Sequence, residues 1–389
     1  MNKKKKILLI TTDFAPSEGG GICTHSKFIV EGLSNLGWDF VIINENYIQT
    51  PESEIKEFAR TYRFPIYIIY PAPSLIKLLK KGIYCLKIAR KHKVDLILGT
   101  GKHPVWFAAF VSFFYRKPLV SIGHGTEFTE ITSKHDIFLN KKLYGKSDLL
   151  LSISEYTKKV IHEVGIRPKK IEVVYNSADN NVFKSCDIES INSFKDNKNI
   201  KNRKIIVTVG SVSERKGQKV VIKALPKVIT KIPNIIYVVA GIFKYKESYI
   251  KLIDETNTNN HVLFTGKVDE EELLLWLNAA DCFIMTSLTD KGDYEGYGIA
   301  VVEAALCKKT SIVSDNAGLK EAVINNTTGI IVKENNIEET SDAIINLLSD
   351  DNLLKTLNDN AYNYALQNNT WTVKAKEYDK HISKLLKNK

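Results

Sequence analysis

Ile205-Ile206-Val207-Thr208-Val209 is the stretch on which the fold turns. Five β-branched residues in a row carry no helical period and read as a strand buried on both faces. Just before it, 185–203 is rich in Asn, Lys, Asp and Ser and reads as a linker. After it come Ile236-Tyr237-Val238-Val239, Val262-Leu263-Phe264, Cys282-Phe283-Ile284-Met285, Ser311-Ile312-Val313 and Gly329-Ile330-Ile331-Val332. Helical patterns over 218–230, 270–280, 298–306, 319–325 and 337–348 separate them. The same alternation has already run once upstream. Ile7-Leu8-Leu9-Ile10 is followed by a Gly-rich loop and a helical stretch over 26–36, then by apolar runs at 41–43, 67–69, 96–98, 119–122, 149–152 and 171–174. Strands alternating with helices predict parallel sheets covered on both faces. The expected class is therefore α/β, with two Rossmann-like doubly wound domains at 1–190 and 201–370. A helical tail follows at 352–368 and 373–386 with Trp371 between its parts, and 371–389 is expected to pack back on the first domain. Two such domains are expected to face each other across a cleft, with ligands at the topological switch points beyond the strand ends.

The 389 residues suit two cores better than one, and 44% hydrophobic with 25% charged residues excludes wholesale disorder. No apolar run approaches the roughly 20 residues that span a bilayer; the longest, 105–115, reads as a buried helix. The net charge of +11 is unevenly placed: residues 1–200 hold 30 basic and 20 acidic side chains, residues 201–389 hold 25 and 24. Only seven of the 55 basic residues are Arg. Lys favours loose electrostatic attraction over bidentate base recognition, which points to an anionic surface or substrate and not to a nucleic-acid reader. Five scattered cysteines without a C-x-x-C pair suit a reducing compartment and no structural zinc. The basic start, Lys3 to Lys6, imitates a leader, but Asp13 soon follows and no small-residue cleavage site appears, so a cytoplasmic location is expected.

The sharpest segment runs Asp290-Lys291-Gly292-Asp293-Tyr294-Glu295-Gly296-Tyr297-Gly298-Ile299-Ala300-Val301-Val302-Glu303-Ala304. It reads as a strand end, a glycine-rich loop and an apolar helix. Amides at the start of that helix would favour a diphosphate. Glu303, more than a turn in, could accept two hydrogen bonds from a ribose diol, and Glu295 could hold a sugar hydroxyl. From spacing alone, solvated acids explain the two glutamates equally well. Arg215-Lys216 before Gly217 could neutralise a diphosphate or form a solvated basic turn. Gly19-Gly20-Gly21 would let the backbone approach a ligand closely, a property flexible loops share.

Taken together these segments resemble glycosyltransferase family 4, the retaining nucleotide-sugar transferases of GT-B fold. Glu295 and Glu303 match that family's glutamate–seven residues–glutamate motif. Val209-Gly210-Ser211-Val212-Ser213-Glu214-Arg215-Lys216-Gly217 resembles its phosphate loop, and Phe264-Thr265-Gly266-Lys267-Val268 and Ser314-Asp315-Asn316-Ala317-Gly318 its later strand ends. Ser17–Gly21, Gly123-His124-Gly125-Thr126-Glu127, Ser152-Ile153-Ser154-Glu155 and Val174-Tyr175-Asn176-Ser177 resemble landmarks of its first domain. The resemblance implies catalytic roles for His124, Lys216 and Glu295. It implies donor contacts from Gly20, Gly21, Ser211, Arg215, Lys216, Val268, Tyr297, Gly298, Ile299 and Glu303. His103 and Glu127 are weaker candidates on neighbouring strand ends. The family usually carries Arg one residue after the glycine equivalent to Gly210; Ser211 stands there, so either Arg215 supplies the second charge or the diphosphate is held less tightly.

The implied activity is metal-independent, retaining, hexosyltransferase-type transfer from a UDP- or GDP-sugar. The donor serves as a substrate, with no resident cofactor and no metal ligands. The acceptor would be a glycan or a lipid-linked acceptor in cell-surface polysaccharide or glycolipid assembly. A sugar-nucleotide epimerase or a glycan phosphorylase on the same plan is the alternative. An NAD-dependent dehydrogenase lacks support, because the loop after the first strand has no G-x-G-x-x-G. Within 71–93, seven basic residues and no acid interleave with Leu75, Ile76, Leu79, Ile83, Leu86 and Ile88. That pattern fits a helix lying on an anionic membrane surface, peripheral on the inner face of the cell membrane. It fits an ordinary crossover helix with solvated lysines equally well.

Overall fold

The computed structural model describes residues 5–16, 20–46, 49–62, 64–71, 74–129, 133–243, 246–289 and 293–387. The chain divides into two compact units, Met1–Asn176 with Trp371–Lys389 and Ser177–Thr370. In the first, the strands are β1 (Lys6–Thr11), β2 (Asp39–Asn44), β3 (Ile66–Ile68), β4 (Leu96–Thr100), β5 (Leu119–Gly123), β6 (Leu149–Ser152) and β7 (Ile171–Val173). All pair in parallel, in the order β3-β2-β1-β4-β5-β6-β7. Ile7 sits opposite both Phe40 and Leu96, so β1 is central and its apolar run is covered on each side. Helices on the faces supply Phe107, Ala108 and Val111 to a core with Leu8, Ile10, Val41 and Ile97.

The second unit repeats the plan with β8 (Lys204–Val209), β9 (Ile235–Ala240), β10 (Val262–Gly266), β11 (Cys282–Met285), β12 (Ser311–Ser314) and β13 (Gly329–Val332). Their order is β10-β9-β8-β11-β12-β13, again all parallel. Ile206, Tyr237, Val239 and Ile284 meet Val221, Leu225, Ile344 and Leu347 from the covering helices. Strand order reverses between β1 and β4 in one unit and between β8 and β11 in the other. Ligands gather beyond the strand ends at such points.

Three expectations need correction. The segment read as a linker folds as a helix, Ile188–Asn197, whose first turn is capped by Asp187 Oδ1 accepting from the Ser190 N–H at 2.8 Å. Phe194 packs edge-on against Trp276, centroids 4.8 Å apart, so the stretch belongs wholly to the second unit. The predicted helix at 319–325 is only a 3-10 turn, Leu319–Ala322. Beyond it Thr328 Oγ1 accepts from the Ile324 N–H and the chain reverses through left-handed Asn326, which a helix would not allow. Trp371 begins the last helix, Trp371–Lys387, and does not separate two others.

That last helix is built into the first unit. Tyr378 and Ile382 are fully buried, the Trp38 indole N–H donates to Asp379 Oδ1 at 2.8 Å, and Trp371 stacks on Phe28. Gly32 on helix Gly20–Asn35 lets the two helices close: a Cβ there would come within 2.5 Å of Ala375 Cβ.

Candidate active site

In the second unit the switch point assembles charge. β8 ends at Val209, and the chain passes Gly210 and exposed Ser211 into the 3-10 turn Glu214–Lys216. Gly217 closes that turn with φ +69° and opens helix Gln218–Ile229. The turn is pinned to the end of β11, since Thr286 Oγ1 donates to the Gly217 carbonyl (2.8 Å) and the Leu288 N–H to the Arg215 carbonyl (2.7 Å). Lys216 and Arg215 are thereby carried to the loop that precedes helix Ile299–Leu306.

There one carboxylate receives both cations. Glu295 Oε2 lies 2.6 Å from Lys216 Nζ and 2.7 Å from Arg215 Nη1, and Arg215 Nε reaches Asp293 Oδ2 at 2.9 Å. Burial alone would raise the Glu295 carboxyl, but the charges of Lys216 and Arg215 more than offset it and hold it down at about 2. Among the described residues, two cations and two anions make the cluster neutral. Asp293 was not legible as a site residue; only its place two positions before Glu295 hinted at a shared partner.

Gly298, at φ +85°, turns the chain into helix Ile299–Leu306, and a Cβ there would lie 2.6 Å from Leu319 Cδ1. The first-turn amides of Ile299 and Ala300 precede the helix's own hydrogen-bond ladder and carry its positive end. One turn on, burial pushes the Glu303 carboxyl up to about 7, with Lys216 drawing it down and Glu270 pushing it up. Lys216 thus acts on both glutamates. The Tyr297 side chain is buried, and its hydroxyl accepts from Asn369 Nδ2 at 3.0 Å. Val268 lies half-buried in the turn after β10, before Asp269 caps the next helix.

In the first unit, Gly20 and Gly21 form the exposed first turn of helix Gly20–Asn35, which starts earlier than the expected 26. Among the described residues, nothing beyond the chain neighbours and the helix's own backbone lies within 4 Å of a Cβ built on either. Residues 17–19 of that loop lie outside the described residues. His124 follows β5 and is held from several sides. Glu127 accepts from the His124 and Gly125 N–H groups (2.6 and 2.7 Å), while Thr100 Oγ1 lies 2.8 Å from His124 Nε2. Glu127 therefore spends both oxygens on the turn that aims His124. His103 Nδ1 is 3.2 Å from Oε1 of buried Glu45, a residue that sequence reasoning missed.

Behind His124 lies a second histidine. His25 is fully buried, edge-on to His124 with centroids 4.8 Å apart, and its Nε2 is 2.9 Å from the Tyr378 hydroxyl. Burial lowers His124 to about 4; burial and then the charge of His124 push His25 well below the usual range. Both rings stay neutral near pH 7. The unfolded chain takes up protons below about 6.5, so this contribution to stability is present above that pH and is lost as pH falls toward 4. Each group should cost about 1.4 kcal/mol per pH unit in that window. Denaturant titrations from pH 7 to 4 should show the slope, and a His25→Gln/His124→Gln variant should flatten it. An unchanged slope would remove the pair from the account.

Two doubly wound parallel units, one of them gathering basic and acidic side chains at its switch point, make up the GT-B class of fold. Residues 19–182 match the sequence model for Glycosyltransferase Family 4, and residues 189–364 match that for Glycosyl transferases group 1. An uncharacterised glycosyltransferase of Methanocaldococcus jannaschii is 28% identical over 99% of this chain and 100% of its own length. A GDP-mannose-dependent α-(1-6)-phosphatidylinositol monomannoside mannosyltransferase of Mycolicibacterium smegmatis is 22% identical over 94% of this chain and 95% of its own. Among solved structures, Anabaena HepE in complex with UDP superposes with a TM-score of 0.81 at 21% identity, covering 97% of this chain and 100% of that one. The chain belongs to the family 4 type of GT-B glycosyltransferases.

Proposed function

We propose that this glycosyltransferase moves a hexosyl group from a UDP- or GDP-sugar to a glycan or lipid-linked acceptor with retention of configuration and without a metal. The observation that carries the reading is the Lys216–Glu295–Arg215 cluster ahead of helix Ile299–Leu306. Lys216 and Arg215, which in this structure are paired with Glu295 and Asp293, would turn to a departing diphosphate and with the helix's first-turn amides stabilise its charge, which is usually the largest catalytic contribution. In this reading the sugar C1–phosphate oxygen bond breaks, the acceptor oxygen bonds C1 on the same face, and its proton passes to the leaving diphosphate. Glu295 would hold a sugar hydroxyl and neutral His124 would sit by the transferred sugar. The choice of nucleotide draws on the relatives, one GDP-mannose-dependent and one crystallised with UDP.

Release of nucleoside diphosphate from a panel of UDP-, GDP- and ADP-sugars, with and without EDTA, tests this. Acceptor-dependent release that EDTA leaves unchanged is expected. Loss of activity on chelation would overturn the metal-independent mechanism, and product without acceptor would overturn transfer.

Glu303 gives a pH test. A ribose diol donates two hydrogen bonds best to an ionised carboxylate. With Glu303 titrating at about 7, nucleotide-sugar affinity should rise with pH and level off near 8, falling up to about tenfold for each unit below 7. The diphosphate of a nucleotide sugar does not titrate in this range. Glu303→Gln should flatten the profile; affinity that falls from pH 6 to 8 would sink the assignment.

For location, the chain is read as cytoplasmic and peripheral on the inner face of the cell membrane, attached through the basic helix Leu75–His92. No described helix is long and apolar enough to cross a membrane. On that helix Lys77, Lys80, Lys87, Arg90 and Lys91 are exposed, and Ile76, Leu79 and Ile83 stand exposed among them.

A further inference from the structure

Three helices of the first unit, Leu75–His92, Lys102–Tyr115 and Lys134–Tyr144, enclose a cavity of about 710 Å3 that the transfer chemistry leaves unused. Trp106, Phe107 and Leu143 line its interior. Leu79, Phe113 and Phe114 stand at its mouth, 54%, 72% and 51% exposed. Helix Lys102–Tyr115 is thus not buried throughout, as its sequence suggested: Val105, Ala108 and Val111 face the sheet, and the two phenylalanines do not.

Helix Leu75–His92 repeats the pattern. Cys85, Leu86, Ile88 and Ala89 satisfy the sheet. Ile76, Leu79 and Ile83 form a second apolar stripe at i, i+3 and i+7 on the outer side, which a crossover helix does not require. A contiguous exposed apolar surface of this kind marks a binding face. Its surroundings are cationic. Arg116, Lys117, Lys146 and Lys169 line one end of the cavity. The one acid among the described lining residues, Asp148, is buried and already accepts from the Leu119 N–H at 2.9 Å and from Lys169 Nζ at 2.7 Å. The occupant this selects is apolar in its body and anionic at its head.

Its position separates it from the reaction. Lys117, Lys146 and Lys169 precede β5, β6 and β7, whereas His124 follows the other end of β5. A five-residue strand spans about 17 Å, so the cavity holds a ligand and does not present one for transfer. Its volume falls within the roughly 300–1,000 Å3 of small-molecule sites.

We propose that this cavity takes one acyl chain of an anionic membrane lipid, with the lipid phosphate on the Arg116–Lys117–Lys146 rim. The inference rests on the membrane reading above and gives it a specific site; each buried methylene would raise affinity about fourfold.

Trp106 reports occupancy. Dodecanoate brominated along its chain, kept below its micelle concentration, should quench the protein's fluorescence saturably at one equivalent, and the quench should vanish in Trp106→Phe. Phe113→Glu and Leu79→Glu, both at exposed positions, should weaken it at least tenfold while circular dichroism stays unchanged. Vesicles of chain-brominated phosphatidylglycerol should quench likewise, and phosphatidylcholine vesicles should not. Absent quenching by dodecanoate, or quenching that Phe113→Glu leaves intact, overturns the cavity proposal whether or not vesicles sediment the protein. Quenching by dodecanoate with no sedimentation on phosphatidylglycerol overturns the membrane as the lipid's source.

Discussion

Replacing Lys216 by Ala should lower the transfer rate about 10²–10³-fold, the usual cost of removing one preorganised donor from a developing charge. The expectation comes from its double engagement: Lys216 lies 2.6 Å from Glu295 Oε2, and its charge also reaches Glu303. Removing it leaves Glu295 with Arg215 alone and lets Glu303 rise further, so nucleotide-sugar affinity at neutral pH should fall with the rate. A companion variant tests the sign of the cluster. Glu295→Gln removes the anion that both cations share, so nucleoside-diphosphate affinity should rise several-fold while transfer falls. Single-turnover rates and calorimetry separate the two effects. A Lys216→Ala enzyme with full rate, or a Glu295→Gln enzyme that binds nucleoside diphosphate more weakly, would overturn the assignment.

Gly217→Ala should destabilise the second unit by about 3 kcal/mol or more, combining left-handed backbone strain with a clash the core cannot relieve. At φ +69° a Cβ would stand 1.8 Å from the Thr286 carbonyl oxygen, and the hydroxyl of the same Thr286 donates to the Gly217 carbonyl, which holds the two segments together. For a unit of this size that corresponds to a melting point lower by about 6–12 °C. Gly266 supplies the control. Its φ is +77° but among the described residues nothing beyond its chain neighbours lies within 4 Å of a Cβ, so Gly266→Ala should cost only the strain, about 1–2 kcal/mol. Equal losses in the two variants would show that the contact with Thr286 is unimportant.

The strands were legible because parallel strands covered on both faces are mostly apolar and β-branched, as runs such as 205–209 and 282–285 are. The switch-point loops were legible by the same logic, as polar breaks between those runs. What escaped notice depends on partners distant in sequence. The helix Ile188–Asn197 needs Trp276 for Phe194, and without that contact its Asn, Lys and Asp read as linker. Glu45 looks like a surface acid until β2 and helix Lys102–Tyr115 bring His103 to it. Tyr297 sits among site residues, but Asn369, from the end of another helix, draws its hydroxyl into the core. The shared role of Glu295 as counter-ion to two cations required the 214–217 turn to be pinned on β11. No local pattern records that.

The docking of helix Trp371–Lys387 on the first unit bears on how the protein is made. Tyr378, Asp379 and Trp371 supply partners for His25, Trp38 and Phe28, so the first helix described waits for the last one described. At 5–20 residues per second, the intervening 177–370 occupy the ribosome for about 10–40 s. During that interval the first unit has its sheet but lacks one covering helix, and the second can fold to completion. The order of maturation is then the reverse of the order of synthesis.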